Sequence, residues 1–358
     1  MKTKLEDLGY KANHEQYRKE QHLDGFEVGR VAVEHKERYI VLTQKGDYEA
    51  EITGNMRFTA RSREDFPAVG DWVALNIYDD GPAIIHYILP RYSIIRRQAV
   101  GQYGETQVIA ANIDVAFILQ AVDRDFNMNR LERYLTICHA SKVAPVIVLT
   151  KIDLTNEQQL SELTGQINRR IKEIPVIAIS NLSGKGYELV KDRIEKGKTY
   201  CLLGSSGVGK STLLNNLAGS TIMKADAISE RTKKGRHVTS HRELILLDTG
   251  GIIIDNPGMR EVGIVSAEGG LETAFERIIH LSGQCRFKTC THTGETGCAV
   301  LAAVEKGEID KSAFENYMKM EREKAYFDST VAERRKKEKT FGKMLKDYQK
   351  KDIKKRNH

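Results

Sequence analysis

"CLLGSSGVGKSTLLNNL", residues 201–217, decides the fold. It contains Gly204-x4-Gly209-Lys210-Ser211, set between an apolar run and an amphipathic stretch. A strand, a glycine-rich turn and a helix in that order make a phosphate-binding loop. The glycines let the backbone curl so that its N–H groups face the phosphates, and the helix N-terminus adds a favourable dipole. The expected contact set is Gly204, Ser205, Ser206, Gly207, Val208, Gly209, Lys210, Ser211 and Thr212. Lys210 is expected to reach the β- and γ-phosphates, and the Ser211 hydroxyl to ligate Mg²⁺. A nucleoside triphosphate site follows, with its base undefined.

The base is addressed upstream, in "VIVLTKIDL" (146–154). Thr150-Lys151-Ile152-Asp153 closes an apolar run there. An aspartate carboxylate can accept hydrogen bonds from two adjacent donors, the N1–H and exocyclic amine of guanine; adenine has no such pair on that edge. The aliphatic stem of Lys151 can lie along the base. Alone, four residues of this kind are better read as a charged strand-to-helix turn. A second apolar run ends in "AISNLSGKG" (178–186), which places Ser180 and Asn181 in another base-facing loop. Two such loops with a P-loop favour guanine, and Asp153 argues against an ATP-dependent enzyme.

Working outward, six apolar runs lie at 113–122, 144–150, 174–180, 199–204, 243–248 and 251–255. Helical patterns separate the early ones, such as 128–142 with Leu131, Leu135 and Cys138 on one face. This alternation predicts a mostly parallel, doubly wound α/β sheet. The base motifs precede the P-loop, the reverse of the common GTPase order. The whole sheet is therefore expected to be circularly permuted, with its new join in "EKGKTY" (195–200).

After the P-loop come two acid-led turns. Asp248-Thr249-Gly250-Gly251 lies between two runs of hairpin length and is expected to be the hairpin turn. Asp255-Asn256-Pro257-Gly258 closes a strand and enters a polar loop, as a Mg²⁺ and γ-phosphate role requires. Asp255 and Gly258 are its expected working residues, with Asp255 acting on Mg²⁺. The next residue is Met259, where small GTPases place a water-orienting glutamine; a thioether cannot orient water, so slow intrinsic hydrolysis is expected. The polar segment before these strands holds Gly235-Arg236-His237-Val238-Thr239. Thr239 is the expected Mg²⁺-sensing switch residue. His237 is the local candidate to accept a proton from the attacking water, and a solvated loop histidine is the competing reading. Arg236 and Arg260 are weaker candidates as charge stabilisers.

The flanks differ from this core. Residues 1–20 form a polar helical arm, and 21–98 alternate apolar and polar residues in about five short strands, the pattern of an OB-like barrel. Residues 99–270 carry the permuted GTPase domain and 271–358 a helical module. In the module, Cys285-x4-Cys290-x-His292-x5-Cys298 can close a tetrahedral Cys₃His zinc site. Four ligands leave no open position, so the role is structural. The remaining cysteines, Cys138 and Cys201, fit small buried apolar positions. Five cysteines suggest no disulfide framework, and a reducing, cytoplasmic setting is expected. No apolar run is long enough for a membrane span, and the first 21 residues have no signal-peptide core. Residues 321–358 hold 14 Lys/Arg against 7 Asp/Glu, so this tail carries all of the net charge of +7. A basic tail on a neutral body suits a polyanion such as RNA, or simply solvent.

The permuted order, the N-terminal barrel, the Cys/His cluster and the basic tail together resemble the ribosome small-subunit-dependent GTPase A (RsgA) family over roughly residues 20–320. The resemblance implies a cytoplasmic GTPase acting late in assembly of the bacterial 30S subunit, with 16S rRNA as partner, GTP/GDP and Mg²⁺ in the P-loop and one structural Zn²⁺. A monomer is expected. The family pattern G-(R/K)-H-T-T is met here with Val238 in place of its first threonine, and Asn256 and Thr150 also depart from the commoner residues. A second reading is a GTP-gated rRNA-binding scaffold with incidental hydrolysis, which Met259 sustains.

Overall fold

The computed structural model describes residues 4–35, 37–79, 81–98, 106–123, 125–219, 242–255 and 269–328. The chain opens with helix α1 (Ala12–Glu20) and enters a barrel of β1 (Glu27–His35), β2 (Arg38–Thr43) and β3 (Gly46–Ile52). Short helix α2 (Gly54–Thr59) follows, then β4 (Trp72–Asn76) and β5 (Ala83–Ile88). These strands run in the order β1-β2-β3-β5-β4, and β4 pairs back onto β1 to close the barrel. Only β3 and β5 are parallel. Alternating residues point inward: Val31, Tyr39, Val41, Val73, Leu75 and Ile85 fill the interior, as period-two patterning requires.

A hairpin of β6 (Ile94–Gln98) and β7 (Thr106–Ala111) leads into β8 (Val115–Ala121). The first lobe of the sheet domain then runs α3 (Met128–Ala140), β9 (Ala144–Thr150), α4 (Glu157–Arg170), β10 (Val176–Ala178) and α5 (Tyr187–Lys191). The second runs β11 (Thr199–Leu203), α6 (Lys210–Leu217), β12 (Arg242–Leu246) and β13 (Ile252–Asp255). The sheet order is β10-β9-β8-β11-β13-β12, with β12 alone antiparallel. The chain thus builds one half outward from β8, then returns to β11, passes to β12 and inserts β13 between β12 and β11. All five parallel strands end on the same edge whichever half is made first, so permutation leaves the loops' relative positions intact. Asp248–Gly251 is the turn joining antiparallel β12 and β13: Gly250 N–H donates to the Leu247 carbonyl at 2.8 Å and Leu247 N–H to that of Gly251 at 2.9 Å.

Barrel and sheet are continuous. Val33 and Glu34 of β1 pair with Glu243 and Arg242 of β12. Beneath this seam lies Arg30, fully buried on β1. Its guanidinium donates to the carbonyls of Leu8 (2.6 Å), Asn112 (3.1 Å) and Gly70 (3.2 Å), one each from the arm, the approach to β8 and the barrel. Burial pulls its pKa down to about 10, while Tyr92, Asp114 and Asp71 oppose the fall. The polar arm is therefore a packed element. Leu8 and His14 are buried, Lys11 pairs with Asp114 at 2.5 Å, and Asp7 pairs with Lys196 at 2.8 Å, beside the permutation join.

His14 gives this arm a pH dependence. Its Nδ1 accepts from Lys11 N–H at 3.2 Å, and its ring lies among Tyr10, Trp72 and Tyr92. Burial, then the charges of Arg30 and Lys11, lowers its pKa from the ordinary 6.5 to about 4. A depressed histidine stays neutral in the folded chain, so its contribution is complete above pH 6.5 and is lost as pH falls toward 4. The expected loss is at most about 1.4 kcal/mol per pH unit. Urea midpoints between pH 7 and 5 should fall in the wild type and fall less steeply in His14→Gln, whose amide can still accept from Lys11 N–H.

The C-terminal module comprises α7 (Gly270–Ala274), α8 (Glu276–Ser282), α9 (Ala299–Glu305) and α10 (Lys311–Asp328). Its small core centres on Leu271, Phe275, Val300, Tyr317 and Met320. It docks on α3, where Gly270 is held so close that a Cβ would sit 2.3 Å from the Thr136 carbonyl oxygen.

Candidate functional site

The site assembles at the C-terminal ends of β9, β10, β11 and β13. The P-loop leaves β11 at Gly204, whose φ of +150° puts a would-be Cβ 2.6 Å from the Leu119 carbonyl. Gly207 (φ +74°) and Gly209 (φ +97°) supply the left-handed turns that curl the loop into α6. Val208 is buried and anchors the loop against Leu213 and Leu214 beneath it. Lys210 folds across the loop, donating to the carbonyls of Gly204 at 2.7 Å and Ser205 at 2.6 Å. Its ammonium is therefore held over the concave side, where a phosphate would replace neutral carbonyls with charge. Ser211 and Thr212 begin α6, and Ser206 is exposed on the loop.

The base loops are tied to the P-loop by side chains. Buried Thr150 donates from Oγ1 to the Val208 carbonyl at 2.7 Å. A threonine hydroxyl thus makes the bridge between the loops without an amide. Lys151 adopts φ +59° and its ammonium pairs with Asp123, just past the end of β8, at 2.9 Å. Ile152 is buried beneath, and Asp153 accepts from the Ser180 hydroxyl at 2.5 Å. Ser180 is itself fixed by N–H groups of Leu182 and Ser183, both at 3.2 Å. One Asp153 oxygen is thereby oriented by protein.

Asn181 plays a different part from its neighbour. Its Nδ2 donates to the Gly209 carbonyl at 3.0 Å and its Oδ1 accepts from Tyr187 at 2.6 Å, with Asn216 donating to Tyr187 at 2.7 Å. Its side chain therefore braces the P-loop. Sequence reading missed Tyr187, Asn216, Asp123 and Arg130. Arg130 donates to Ser205 Oγ at 3.1 Å. None of the four belongs to a short motif, and only the fold brings them to the loops.

Asp255 ends β13 beside the P-loop strand, one residue past the Cys201–Ile254 pair. The structure brings together Thr150, Lys151, Ile152, Asp153, Ser180, Asn181, the P-loop and Asp255. His237, Thr239 and Gly258, with Arg236, Val238, Asn256, Met259 and Arg260, lie outside the described residues, as does the tail beyond 328.

A second cluster forms in the C-terminal module. The ligand atoms of Cys285, Cys290, His292 and Cys298 all lie within 4.8 Å of one another. Cys285 Sγ is 3.9 Å from Cys298 Sγ and 3.7 Å from His292 Nδ1, which is 3.3 Å from Cys298 Sγ. The sulfur separation is far beyond a disulfide bond of about 2.05 Å. It matches the edge of about 3.8 Å in a tetrahedron with metal–sulfur arms of about 2.3 Å. The donor set therefore fits one metal ion. The loop is pre-shaped by Glu295, whose carboxylate accepts from the N–H groups of Thr291 (2.6 Å), Thr293 (2.9 Å) and Gly294 (3.1 Å). The Thr291 hydroxyl and these N–H groups hold that carboxyl well below the usual range. Cys138 and Cys201 are buried, and burial pushes both thiols up, as inert core positions require.

Residues 88–265 match the family model for the RsgA GTPase. A small ribosomal subunit biogenesis GTPase RsgA 2 of Lactiplantibacillus plantarum is 42% identical over 88% of this chain and 89% of its own length. A counterpart from Opitutus terrae is 39% identical, covering 85% of each chain. Among solved structures, YjeQ from Thermotoga maritima superposes with a TM-score of 0.61 at 26% identity, covering 82% of this chain and 96% of that one. YloQ, described as a circularly permuted GTPase, shares the fold with a TM-score of 0.60 at 24% identity, covering 87% of this chain and 99% of that one. The strand order that sets the base loops ahead of the P-loop is thus a shared architecture, and with relatives this similar along most of its length the chain belongs to the RsgA family of GTPases.

Proposed function

We propose that this GTPase acts in the cytoplasm as a monomer on the small (30S) ribosomal subunit, late in its maturation, and that contact with the subunit and its 16S rRNA stimulates GTP hydrolysis. The observation that carries the reading is that the loops bearing Asp153 and Asn181 are bonded directly to the loop bearing Lys210, through Thr150–Val208 and Asn181–Gly209. A guanine reader and a phosphate loop tied in this way suit one GTP. The names of the relatives, small ribosomal subunit biogenesis GTPases, support the partner.

In this reading Asp153 accepts from guanine, with Lys151 and Ile152 shaping the pocket wall and Ser180 orienting the carboxylate. The P-loop N–H groups and Lys210 hold the phosphates. Ser211, Asp255 and Thr239 are the Mg²⁺ partners; Ser211 lies in the first turn of α6 and Asp255 ends β13, the neighbour of the P-loop strand, and their hard oxygen donors suit that ion. Bound Mg²⁺ would neutralise charge developing on the phosphates. Gly258 faces the γ-phosphate and His237 handles the proton of the attacking water. Zn²⁺ is the ion that suits the Cys₃His set, in a closed, structural site. The zinc module, the barrel and the basic tail face RNA. Met259 in place of glutamine leaves water alignment to the partner.

The test is GTP turnover by the full-length protein with and without purified 30S particles. Stimulation of at least about a thousandfold is expected, the lower end of the range that a supplied catalytic group gives. Unchanged turnover alongside nucleotide-dependent co-sedimentation would instead favour the scaffold reading.

A further inference from the structure

Helix α3 touches the P-loop at one end and holds α10 along one side. Arg130, in its first turn, reaches Ser205 Oγ at 3.1 Å and the Asp125 carbonyl at 3.4 Å. Its helical neighbours face the C-terminal module. The Asn129 carbonyl accepts from Asn316 Nδ2 at 3.3 Å, and Asn129 Oδ1 accepts from Arg170 at 2.7 Å. Glu132 is buried and accepts from Arg170 Nε at 2.5 Å, from Arg170 Nη2 at 2.8 Å and from Asn316 Nδ2 at 2.6 Å. Arg170 also donates to Ser312 at 2.7 Å. Arg133 makes a two-pronged ion pair with Glu323. A buried carboxylate bonded on both oxygens fixes position far more strictly than apolar contact does, because moving either partner strands a charge.

The P-loop contact and the α10 contacts therefore lie within about one turn of a single rigid helix. We infer that α3 is a lever coupling the nucleotide state of the P-loop to the pose of α10, with Arg130 as the positioning residue that reads Ser205. This rests on GTP occupying the P-loop as proposed above. Arg130 holds a neutral hydroxyl at the loop. A triphosphate brings several negative charges there, and hydrolysis removes some of them. The pull on the guanidinium, and so on the start of α3, changes with the nucleotide. A shift at that end must reach Asn129, Glu132 and Arg133, which α10 cannot release without breaking the buried Glu132–Asn316 hydrogen bond and the Arg133–Glu323 ion pair. Coupling of this kind is reciprocal, so loosening α10 must alter nucleotide preference at a site that Glu323 does not touch.

The experiment uses the full-length protein. Affinities for fluorescent GDP and a non-hydrolysable GTP analogue are measured in wild type, Arg130→Ala, Glu323→Arg and the charge-swapped Arg133→Glu/Glu323→Arg pair. Hydrogen exchange of 311–328 is followed in both nucleotide states. The expected result is a change of about fivefold in the GDP-to-analogue affinity ratio for Glu323→Arg, restored by the swap. Nucleotide-dependent exchange in α10 should be present in wild type and absent in Arg130→Ala. An unchanged ratio in Glu323→Arg, or identical α10 exchange with both nucleotides in wild type, would overturn the lever. Failure of wild type to bind either nucleotide would remove the GTP assignment itself, and the lever with it.

Discussion

Asp153→Asn should weaken GTP binding by about a hundredfold or more. Two charge-assisted hydrogen bonds to guanine are replaced by one weak acceptor and a clashing N–H donor, and each bond to a charged group contributes about 1.5–3 kcal/mol. The Ser180 hydroxyl, which donates to Asp153 Oδ1 at 2.5 Å, keeps the side chain in place, so the loss should fall on the base and spare the fold. Xanthine carries a carbonyl where guanine carries its exocyclic amine, so the new amide N–H has a partner there. The variant should therefore bind xanthosine triphosphate better than GTP. Titration with fluorescent GTP and xanthosine triphosphate, alongside thermal melting, checks this. GTP affinity equal to wild type would remove Asp153 from base recognition.

The second large effect is expected at the Cys/His cluster. Structural zinc in small domains contributes about 10–16 kcal/mol of apparent binding free energy at neutral pH. The module around the cluster has a small core of its own, centred on Leu271, Val300 and Met320. Cys298→Ala removes a buried ligand that also caps α9, where its sulfur accepts from Leu301 N–H at 3.4 Å. Metal content should fall from one zinc per chain to none, and 269–328 should lose protection from proteolysis while the sheet domain keeps its own. Chelation of wild type should do the same, and zinc should reverse it. A melting curve unmoved by either treatment would count against a structural metal.

The readable part of the fold was whatever repeats locally. Strand runs in order, a glycine spacing and four metal donors within 14 residues are all short-range patterns, and each has its counterpart in the structure. Even the permuted order is legible, because the motifs keep their strand-end context wherever the chain is cut. The rest depends on distant partners. Arg30 reads as a surface charge in an alternating strand, yet it is wholly buried because three carbonyls from separate segments converge on it. Glu132 and Arg170 lie in ordinary amphipathic patterns, and their pair is capped by Asn316 of the distant α10. Burial lifts the Glu132 carboxyl above its ordinary range even with Arg170 and Asn316 bonded to it. Asn181 shows the same limit at the site: the motif placed it beside the base, and Tyr187 and Gly209 claim its side chain.

The pairing of β1 with the start of β12 has one more consequence. A sheet edge offers a row of backbone donors and acceptors that an incoming strand can extend. Here the chain's own barrel has taken the opening of that row. A partner seeking to add a strand along β12 would have to peel away β1, and with it the Arg30 junction. At Arg242 and Glu243 recognition is thus withheld from β-augmentation and left to side chains and loops.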